Sequence, residues 1–568
     1  MKKYMKKNNQ IKIEIIVIML LSLVYFIRVI YLDADIKAPW GVLNYQPIDE
    51  GCYGEMALNI FDFKTINPND FYEGKYNYYV GPQVINNVFG NIFSFIPMLI
   101  FGDNFIGFRL GPIIAGYLIL IFFYLTIKKI SQKENCIIFF TLVLLTNFQF
   151  YNACRIVEPT IFRLLFIQII IYVYMTDIKD NIKYYIMGLL AVLSIFGVYI
   201  TNLFSLFPFF LLFVYLILNK KYKDAGFFLK WSLLGGITGY IISLIYYKSV
   251  WNTYPVINAL NAFKTFQGVS TYGVNSVSIL SKINSFLSSN LFLYMPILFL
   301  APILLIVVFP SLSERRKKET LFIVGMAIGL FIQTLVSEDY VVRKSLVLIT
   351  SLICLVCIVT ENIEILNIKK HKYICMILFG ILLIYISINN VMYRLYKIDN
   401  KTNLDFNGKD IPIVWTIAGC MVCIIVLCTL MFILKRNIQK VIYLGSVVIC
   451  ILNLMLIYKY NLHNMTFVDK KVATEVGEIV GENIVCLSYE NNIRLYNDIK
   501  PLVCYEDEMY DYMKNDKNMF YYGYSGFETF NEDENSINQN VYIYKEFNRE
   551  FMTFGEKRSW ALYKFKKE

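Results

Sequence analysis

The chain has 568 residues, of which 57% are hydrophobic and 17% are charged, and its net charge is +11. A soluble protein has about 45–50% apolar and about 25% charged residues. The apolar excess excludes an ordinary soluble fold, because so much apolar surface would aggregate in water. The Lys and Arg residues lie in short loops between apolar runs, which argues against nucleic-acid binding and for membrane orientation.

Histidine and cysteine usage limits metal chemistry. With two histidines in the whole chain, His371 and His463, a His-based triad or a multi-His metal site is nearly excluded. The CxxC pairs that begin at Cys354 and Cys420 lie inside apolar runs, without the further ligands that zinc needs. We interpret these cysteines as small apolar helix residues. No cofactor is indicated, and a divalent metal is an open alternative that no sequence feature supports.

Long apolar runs follow one another along the chain. The basic N-terminus, MKKYMKKNNQ, leads into a run that reaches Leu32 without a cleavage site, which is typical of a retained signal anchor. Runs of about 17–22 residues have the length that a helix needs to cross about 30 Å of hydrocarbon. We predict about thirteen crossings, at 12–32, 106–127, 136–151, 158–176, 183–199, 202–219, 227–247, 289–309, 319–336, 341–360, 371–389, 412–434 and 439–460.

A further apolar segment, 84–101, is ambiguous because it is short and is interrupted by Asn residues and Pro97. If it does not cross, the basic loops all fall on one side, which short-loop Lys and Arg residues mark as cytoplasmic. We therefore predict a multi-pass cell-membrane protein whose N-terminus is cytoplasmic and whose C-terminal tail is outside. Segment 84–101 then lies along the outer surface or re-enters it.

Three long segments are predicted outside: 33–105, 248–288 and 461–568. The tail is polar and contains five strand-like runs, NIVCLSY, PLVCYE, NMFYYGY, NVYIYKEF and WALYKF. We predict a transmembrane domain over 1–460, with interfacial helices within 33–105, and an extracytoplasmic α/β domain over 461–568.

Two acidic motifs stand out. In QPIDEGCYGEMALNIF, Asp49 lies near the start of a short amphipathic helix, where the helix dipole favours a carboxylate. In YNACRIVEPTIFRLLF, Glu158 lies at the outer mouth of a predicted span. The simpler alternative is that Asp49 caps its helix and that Glu158 pairs with Arg155 or Arg163. Acids at membrane depth are costly and usually functional, which favours a functional Glu158.

Several cations are predicted on the same outer face and could meet an anionic ligand. The alternative is that they form local ion pairs or extend to the membrane interface. They are Lys75, Arg109, Arg155, Arg343 and Lys344.

The order and spacing of four segments resemble the GT-C superfamily of polyprenyl-phosphate-dependent glycosyltransferases. The pattern is closest to the aminoarabinose transferases that modify lipid A and to the protein O-mannosyltransferase-like family 39. IDEGCYGEMALNIF resembles the acidic segment of the first outer loop, and FGDNFIGFRLGPIIAGYLI resembles the entry to the second span. YNACRIVEPTIF resembles the second acidic motif, where the family usually has Asp, and NIVCLSYENNIRLY resembles the opening of an outer α/β domain.

This resemblance implies a GT-C fold and a membrane glycosyltransferase. Such an enzyme moves a sugar from a polyprenyl-phosphate donor in the bilayer to an extracytoplasmic acceptor, which can be a lipid, a glycan or a protein, with inversion at the sugar carbon. Asp49 is then the expected catalytic base, and Glu158 orients the acceptor or shares that role. The expected substrate-binding residues are Glu50, Tyr53, Lys75, Arg155, Arg343 and Lys344.

The chain departs from the aminoarabinose transferases at two positions. Gly81 stands where they carry a lysine before the proline that matches Pro82, and Thr201 and Asn202 stand where they carry a T-K-G element. Those lysines are implicated in handling the lipid phosphate. The resemblance therefore implies that other cations hold the phosphate here and that the donor carries a different sugar.

Two other functions fit the composition. A transporter or flippase for a lipid-linked sugar predicts acids in mid-membrane and paired broken helices, neither of which the sequence indicates. A non-catalytic assembly subunit would use its tail to bind a partner, and the separately expressed tail would then capture a specific protein.

The topology can be tested by labelling single introduced cysteines with a membrane-impermeant reagent in intact cells. Because loop charge orients the chain, we expect labelling at positions 77 and 515 (Asn77 and Asn515) and protection at Lys317. Protection of position 515 would contradict the predicted topology.

Overall fold

A computed structural model describes the N-terminal helix, most of the first half of the chain and parts of the second half. The described residues are 2–34, 48–63, 87–266, 305–306, 308–336, 346–362, 438–463, 467–481, 484–487, 493, 495–496, 502–504, 518–524, 541–553 and 556–565.

Within these ranges the chain is mostly helical, and most of the helices share one apolar core. Short 3-10 turns lie at Ile27–Val29, Ile200–Leu206, Phe309–Ser311 and Leu346–Leu348, and a π-helical turn lies at Tyr458–His463. The helices are α1 Lys2–Phe26, α2 Ile48–Phe63, α3 Val88–Phe101, α4 Phe105–Ile130, α5 Glu134–Leu145, α6 Phe148–Ala153, α7 Pro159–Met175, α8 Asp180–Gly197, α9 Phe207–Leu218, α10 Tyr222–Trp251, α11 Pro255–Phe266, α12 Glu314–Val336, α13 Ile349–Asn362, α14 Ile438–Ile457 and α15 Val468–Val480.

Four helical segments of the described chain are long and apolar enough to cross a membrane: α4, α9 with the 3-10 turn before it, α10 and α12. Shorter apolar helices of 10–17 residues accompany them. The four long segments coincide with predicted spans, whereas the shorter helix α3 lies in segment 84–101, which was predicted not to cross. The runs predicted at 371–389 and 412–434 and most of the run at 289–309 lie outside the described residues, so the count of about thirteen crossings stays a prediction.

The ambiguous segment 84–101 contains α3, which has 14 residues and includes Pro97. At 1.5 Å per residue α3 is about 21 Å long, which is shorter than the hydrocarbon thickness of about 30 Å. It packs closely along α4, because a Cβ at Gly111 would lie 2.5 Å from the carbonyl oxygen of Phe93. Helices α5 and α13, which overlap predicted spans, are no longer than α3, so its length does not decide whether the segment crosses, and this stays a prediction.

Ion pairs join four of the predicted basic loops at one end of the bundle. Lys129 and Arg315 each lie 2.7 Å from a carboxylate oxygen of Asp177, and Lys221 lies 3.3 Å from Glu314. Hydrogen bonds from Lys129 and Arg315 lower the pKa of Asp177 to about 2. The loops that orient the chain in the sequence analysis therefore lie together.

The acidic motifs lie at the opposite end. Helix α4 carries Arg109 near its start and Lys129 near its end, which places them about 30 Å apart along the axis. Arg109 contacts the first acidic motif, whereas Lys129 belongs to the basic end.

The five strand-like runs of the tail lie on the five strands of one sheet, in the order β2-β1-β3-β5-β4. Strand β1 pairs in parallel with β2 and β3, and β5 pairs antiparallel with β3 and β4. Trp560 is 1% exposed and stacks on Tyr522 at 5.3 Å between ring centroids. The strands are β1 Ile484–Leu487, β2 Leu502–Cys504, β3 Phe520–Tyr524, β4 Val541–Thr553 and β5 Glu556–Phe565. The division into two domains and the outside location of the tail stay predictions.

Helices α8 and α10 approach each other through glycines. A Cβ at Gly188 would lie 2.0 Å from the carbonyl oxygen of Ser232, and a Cβ at Gly235 would lie 1.9 Å from that of Tyr185. Real Cβ atoms do not come this close to backbone, so a side chain here would force the helices apart. Small residues permit this kind of backbone contact between membrane helices.

Replacing Gly235 by Ala should destabilise the protein, because relieving the clash separates two packed helices, at a cost of about 1–3 kcal/mol. Gly226→Ala is the matched control, since Gly226 lies in the same helix with nothing within 4 Å of its Cβ position. Both substitutions replace glycine by alanine within α10, so the gain in helix propensity is the same for the two variants. Thermal unfolding in detergent measures the difference, and equal midpoints for the two variants would contradict the contact.

Candidate functional site

Helix α2 carries the first acidic motif and packs against α3 and α4. The side-chain amides of Asn87 and Asn91 donate to the carbonyl oxygen of Tyr53, at 3.1 Å each. The Asn91 side chain also accepts from the backbone N–H of Ala57, at 2.8 Å. These bonds attach the backbone of α2 to α3. Gly54 leaves room for an α4 ring, since a Cβ there would lie 2.1 Å from Phe108.

Glu50 is the buried centre of this region. Its side chain is 2% exposed and forms a salt bridge with Arg109, whose Nη2 lies 2.7 Å from Oε2 and whose Nε lies 2.9 Å from Oε1. Arg109 also donates to the carbonyl oxygens of Leu32 and Ala34, at 2.6 Å and 3.2 Å. The pair therefore joins α2 to α4 and to the end of the first helical segment.

Glu50 also reaches the second acidic motif. Its Oε1 accepts the backbone N–H of Val157 at 3.1 Å. Val157 precedes Glu158, and Glu50 follows Asp49, so one carboxylate holds together the chain segments that carry both predicted catalytic acids. Both Glu50 oxygens are engaged in this way, which suits positioning rather than the substrate contact predicted for Glu50.

Glu158 is the residue immediately before α7, and Pro159 occupies the first helical position. Glu158 is 7% exposed, and its Oε1 accepts a hydrogen bond from the hydroxyl of Thr160 at 3.1 Å. Proline at the first turn is favourable, because its missing N–H would have no helical partner there. Glu158 interacts electrostatically with Arg163, so the simpler alternative of the sequence analysis is present as a longer-range attraction rather than a hydrogen-bonded pair.

Arg155 was predicted to bind phosphate, and one nitrogen of its guanidinium, Nη2, has backbone partners in the structure. Arg155 donates to the carbonyl oxygens of Tyr31 and Ile30, and it lies 5.5 Å from the ring centroid of Tyr151. It is 2% exposed, and burial lowers its pKa from the ordinary value. Its buried Nε has no hydrogen-bond partner within the described structure, so ligand binding by Arg155 stays a prediction.

The remaining predicted residues divide into two groups. Asp49 is the second residue of α2, and its side chain lies outside the described atoms. Tyr53 is half-buried and interacts electrostatically with Arg163. Lys75, Arg343 and Lys344 lie outside the described residues. Among the side chains that are described, no three of His, Cys, Asp and Glu lie close enough to hold a metal ion.

The structure adds a buried polar group that the sequence analysis did not assign. Arg163 donates from Nε to Oδ1 of Asn202 at 2.9 Å and from Nη2 to Oε1 of Gln333. The sequence feature that could have predicted this group is an arginine inside one apolar span together with a glutamine inside another. Pairing with Glu158 was the only role considered for this arginine.

The C-terminal region contacts the same end of the bundle. The rings of Tyr496 and Phe105 lie 3.9 Å apart between centroids, and Leu495 packs in one apolar cluster with Val157. Lys470 pairs with Asp33 at 2.9 Å. The tail therefore lies next to the Glu50 network.

The sequence matches no protein-family model and no curated protein. Its fold does match solved structures of ArnT from Cupriavidus metallidurans, an aminoarabinose transferase of the GT-C class. The TM-score is 0.59 at 12% identity, and the match to the structure bound to undecaprenyl phosphate covers 96% of this chain and 97% of that one. The chain has the GT-C fold.

The apo structure of the same ArnT covers 98% of both chains, again with a TM-score of 0.59. The apo oligosaccharyltransferase of Archaeoglobus fulgidus aligns with a TM-score of 0.42 and 9% identity, over 90% of this chain and 69% of that one. The match to ArnT confirms the fold predicted from the four motifs.

Glu50→Gln should destabilise the protein by about 3–5 kcal/mol, because it leaves the charge of Arg109 buried without its partner. Glu475→Gln is the control, since Glu475 pairs with Lys545 but is 47% exposed. A surface pair of this kind contributes about 0–1 kcal/mol. Thermal unfolding in detergent compares the variants, and a Glu50→Gln protein as stable as the wild type would contradict the buried pair.

Proposed function

We propose that the protein is a membrane glycosyltransferase that moves a sugar from a polyprenyl-phosphate donor to an acceptor on the non-cytoplasmic side. The observation that carries this proposal is the contact of Glu50 with Val157, which brings two acidic motifs from distant parts of the sequence to one place. The GT-C fold supports it, since the ArnT of that fold has been solved with undecaprenyl phosphate bound.

The reaction makes one bond and breaks one. The acceptor oxygen attacks the sugar carbon while the bond from that carbon to the phosphate oxygen breaks, and the acceptor proton passes to a carboxylate. Phosphate leaves readily, so the protein needs mainly a base and a stabilised leaving group. We assign the base to Asp49, in the first turn of α2, and we assign Glu158 to orienting the acceptor hydroxyl.

The buried Glu50–Arg109 pair supports this division of roles. The side chains of Arg109 and Glu50 are 1% and 2% exposed, so their salt bridge is a rigid anchor for the chain segments attached to it. A base must lie within about 2.6–3.2 Å of the proton that it removes, so the positions of Asp49 and Glu158 have to be held closely. The Glu50–Arg109 pair restrains the backbone segments that carry the two acids.

Asp49→Asn should lower turnover by roughly 10²–10⁴, the usual contribution of a positioned base, while fold and donor binding persist because the amide is isosteric. Glu158→Gln should lower turnover less if Glu158 only orients the acceptor. The assay uses purified protein with a set of radiolabelled polyprenyl-phosphate sugars and membranes as the source of acceptor.

Asp103→Asn is the matched control, because Asp103 lies at the same end of the bundle in the turn between α3 and α4. It should transfer sugar at the wild-type rate. Near wild-type transfer by Asp49→Asn would overturn the assignment of the base. Facilitated movement of the intact donor across vesicles, without any transfer, would favour a flippase instead.

A further inference from the structure

Arg163 is a buried charge inside a membrane helix. It lies five residues after Glu158, which places it about 7–8 Å deeper along α7, and it is 3% exposed. Its two hydrogen bonds go to neutral amides, those of Asn202 and Gln333. A buried guanidinium without a hydrogen-bonded anion is costly, and charges at this depth usually mark a ligand path.

The other buried arginines of the described chain are compensated differently. Arg109 has the carboxylate of Glu50. Arg28 donates to the carbonyl oxygen of Leu145 at the end of α5, and Arg155 donates to carbonyl oxygens just after a 3-10 turn, although the Nε of each has no partner within the described structure. Carbonyls at helix ends carry negative partial charge. Arg163 has neither kind of partner. Its guanidinium lies 5.7 Å from the ring centroid of Tyr199, and Glu158 offsets its charge only at longer range.

The groups around Arg163 are rich in hydrogen-bond donors. Within the described structure, the buried Nε2 of Gln333 and the buried hydroxyl of Thr201 have no hydrogen-bond partner, and both residues are 0% exposed. Thr201 adjoins Asn202, whose Oδ1 is already used by Arg163. A ligand for such a place should accept hydrogen bonds and carry negative charge, as an oxyanion does.

We infer that Arg163 binds a phosphate oxyanion, with Asn202 and Gln333 fixing the plane of its guanidinium. The inference rests on the proposed function, in which that oxyanion is the phosphate of the polyprenyl donor and of the polyprenyl-phosphate product. Arg163 then shares the ligand-binding role that the sequence analysis gave to Arg155. Arg163 stabilises the leaving phosphate from its deeper position in α7, while Glu158 orients the acceptor at the mouth of the span.

Gln333→Glu provides the sharpest test. It is nearly isosteric, keeps the acceptor oxygen for Arg163 and places a permanent carboxylate beside the guanidinium. That carboxylate competes with an incoming phosphate, so the variant should be at least as stable as the wild type but should bind undecaprenyl phosphate at least tenfold more weakly. Unchanged affinity in this variant would overturn the inference.

Arg163→Gln is the second variant, and Arg28→Gln is its matched control because both changes remove a buried guanidinium. We expect Arg163→Gln to weaken binding of undecaprenyl phosphate by about 10–100-fold, Arg163→Lys to restore part of it, and Arg28→Gln to keep wild-type affinity even where stability falls. Equal weakening by Arg163→Gln and Arg28→Gln would overturn a specific role for Arg163.

Two further ligands separate this inference from the proposed function. Undecaprenol, which lacks the phosphate, should bind wild type and Arg163→Gln alike, and inorganic phosphate reports on the oxyanion alone. Wild-type protein that binds inorganic phosphate through Arg163 but not undecaprenyl phosphate would contradict the proposed donor and keep the oxyanion site. If the wild type binds undecaprenyl phosphate and this binding does not depend on Arg163, the proposed donor is kept and the oxyanion site at Arg163 is contradicted.

Discussion

The buried salt bridge between Glu50 and Arg109 is the constraint on which the arrangement of the candidate site depends. It lies where α2, α4 and the chain before α7 meet, and each of its partners also binds backbone: Glu50 accepts from Val157, and Arg109 donates to Leu32 and Ala34. Breaking a buried pair costs more than a surface pair contributes, because the remaining charge is left in a dry interior. The pair therefore holds α2 in one position and keeps the two acidic motifs together.

Charge is divided between the two ends of the bundle, and this division determines what each end can do. The basic loops are tied to one another by exposed ion pairs around Asp177, which suits a surface at the lipid headgroups. The other end has buried arginines, each satisfied by a carboxylate, by backbone carbonyls or, at Arg163, by neutral amides. Arg163, whose hydrogen bonds go to the neutral side chains of Asn202 and Gln333, lies in α7, the helix that follows Glu158.

The sequence predicted the fold well where local pattern was sufficient. Helix α4 coincides with the predicted span 106–127, the five tail strands coincide with the five β-rich runs, and the order of four motifs predicted the GT-C fold. Local pattern could not predict which cation meets which partner, because those contacts join residues far apart in sequence. Arg109 pairs with Glu50 across 59 positions and Arg163 binds Gln333 across 170. The sequence could not show that Arg155 donates to the carbonyl oxygens of Ile30 and Tyr31, because these residues lie 125 and 124 positions away.

A structure of the protein in nanodiscs with undecaprenyl phosphate, solved by electron cryomicroscopy, would locate the chemistry. The phosphate should lie against the guanidinium of Arg163, with Asp49 and Glu158 on its outer side and the Glu50–Arg109 pair intact behind them. A phosphate bound at the opposite, basic end, or a Glu50 turned away from Arg109 with the two acids apart, would contradict the site described above.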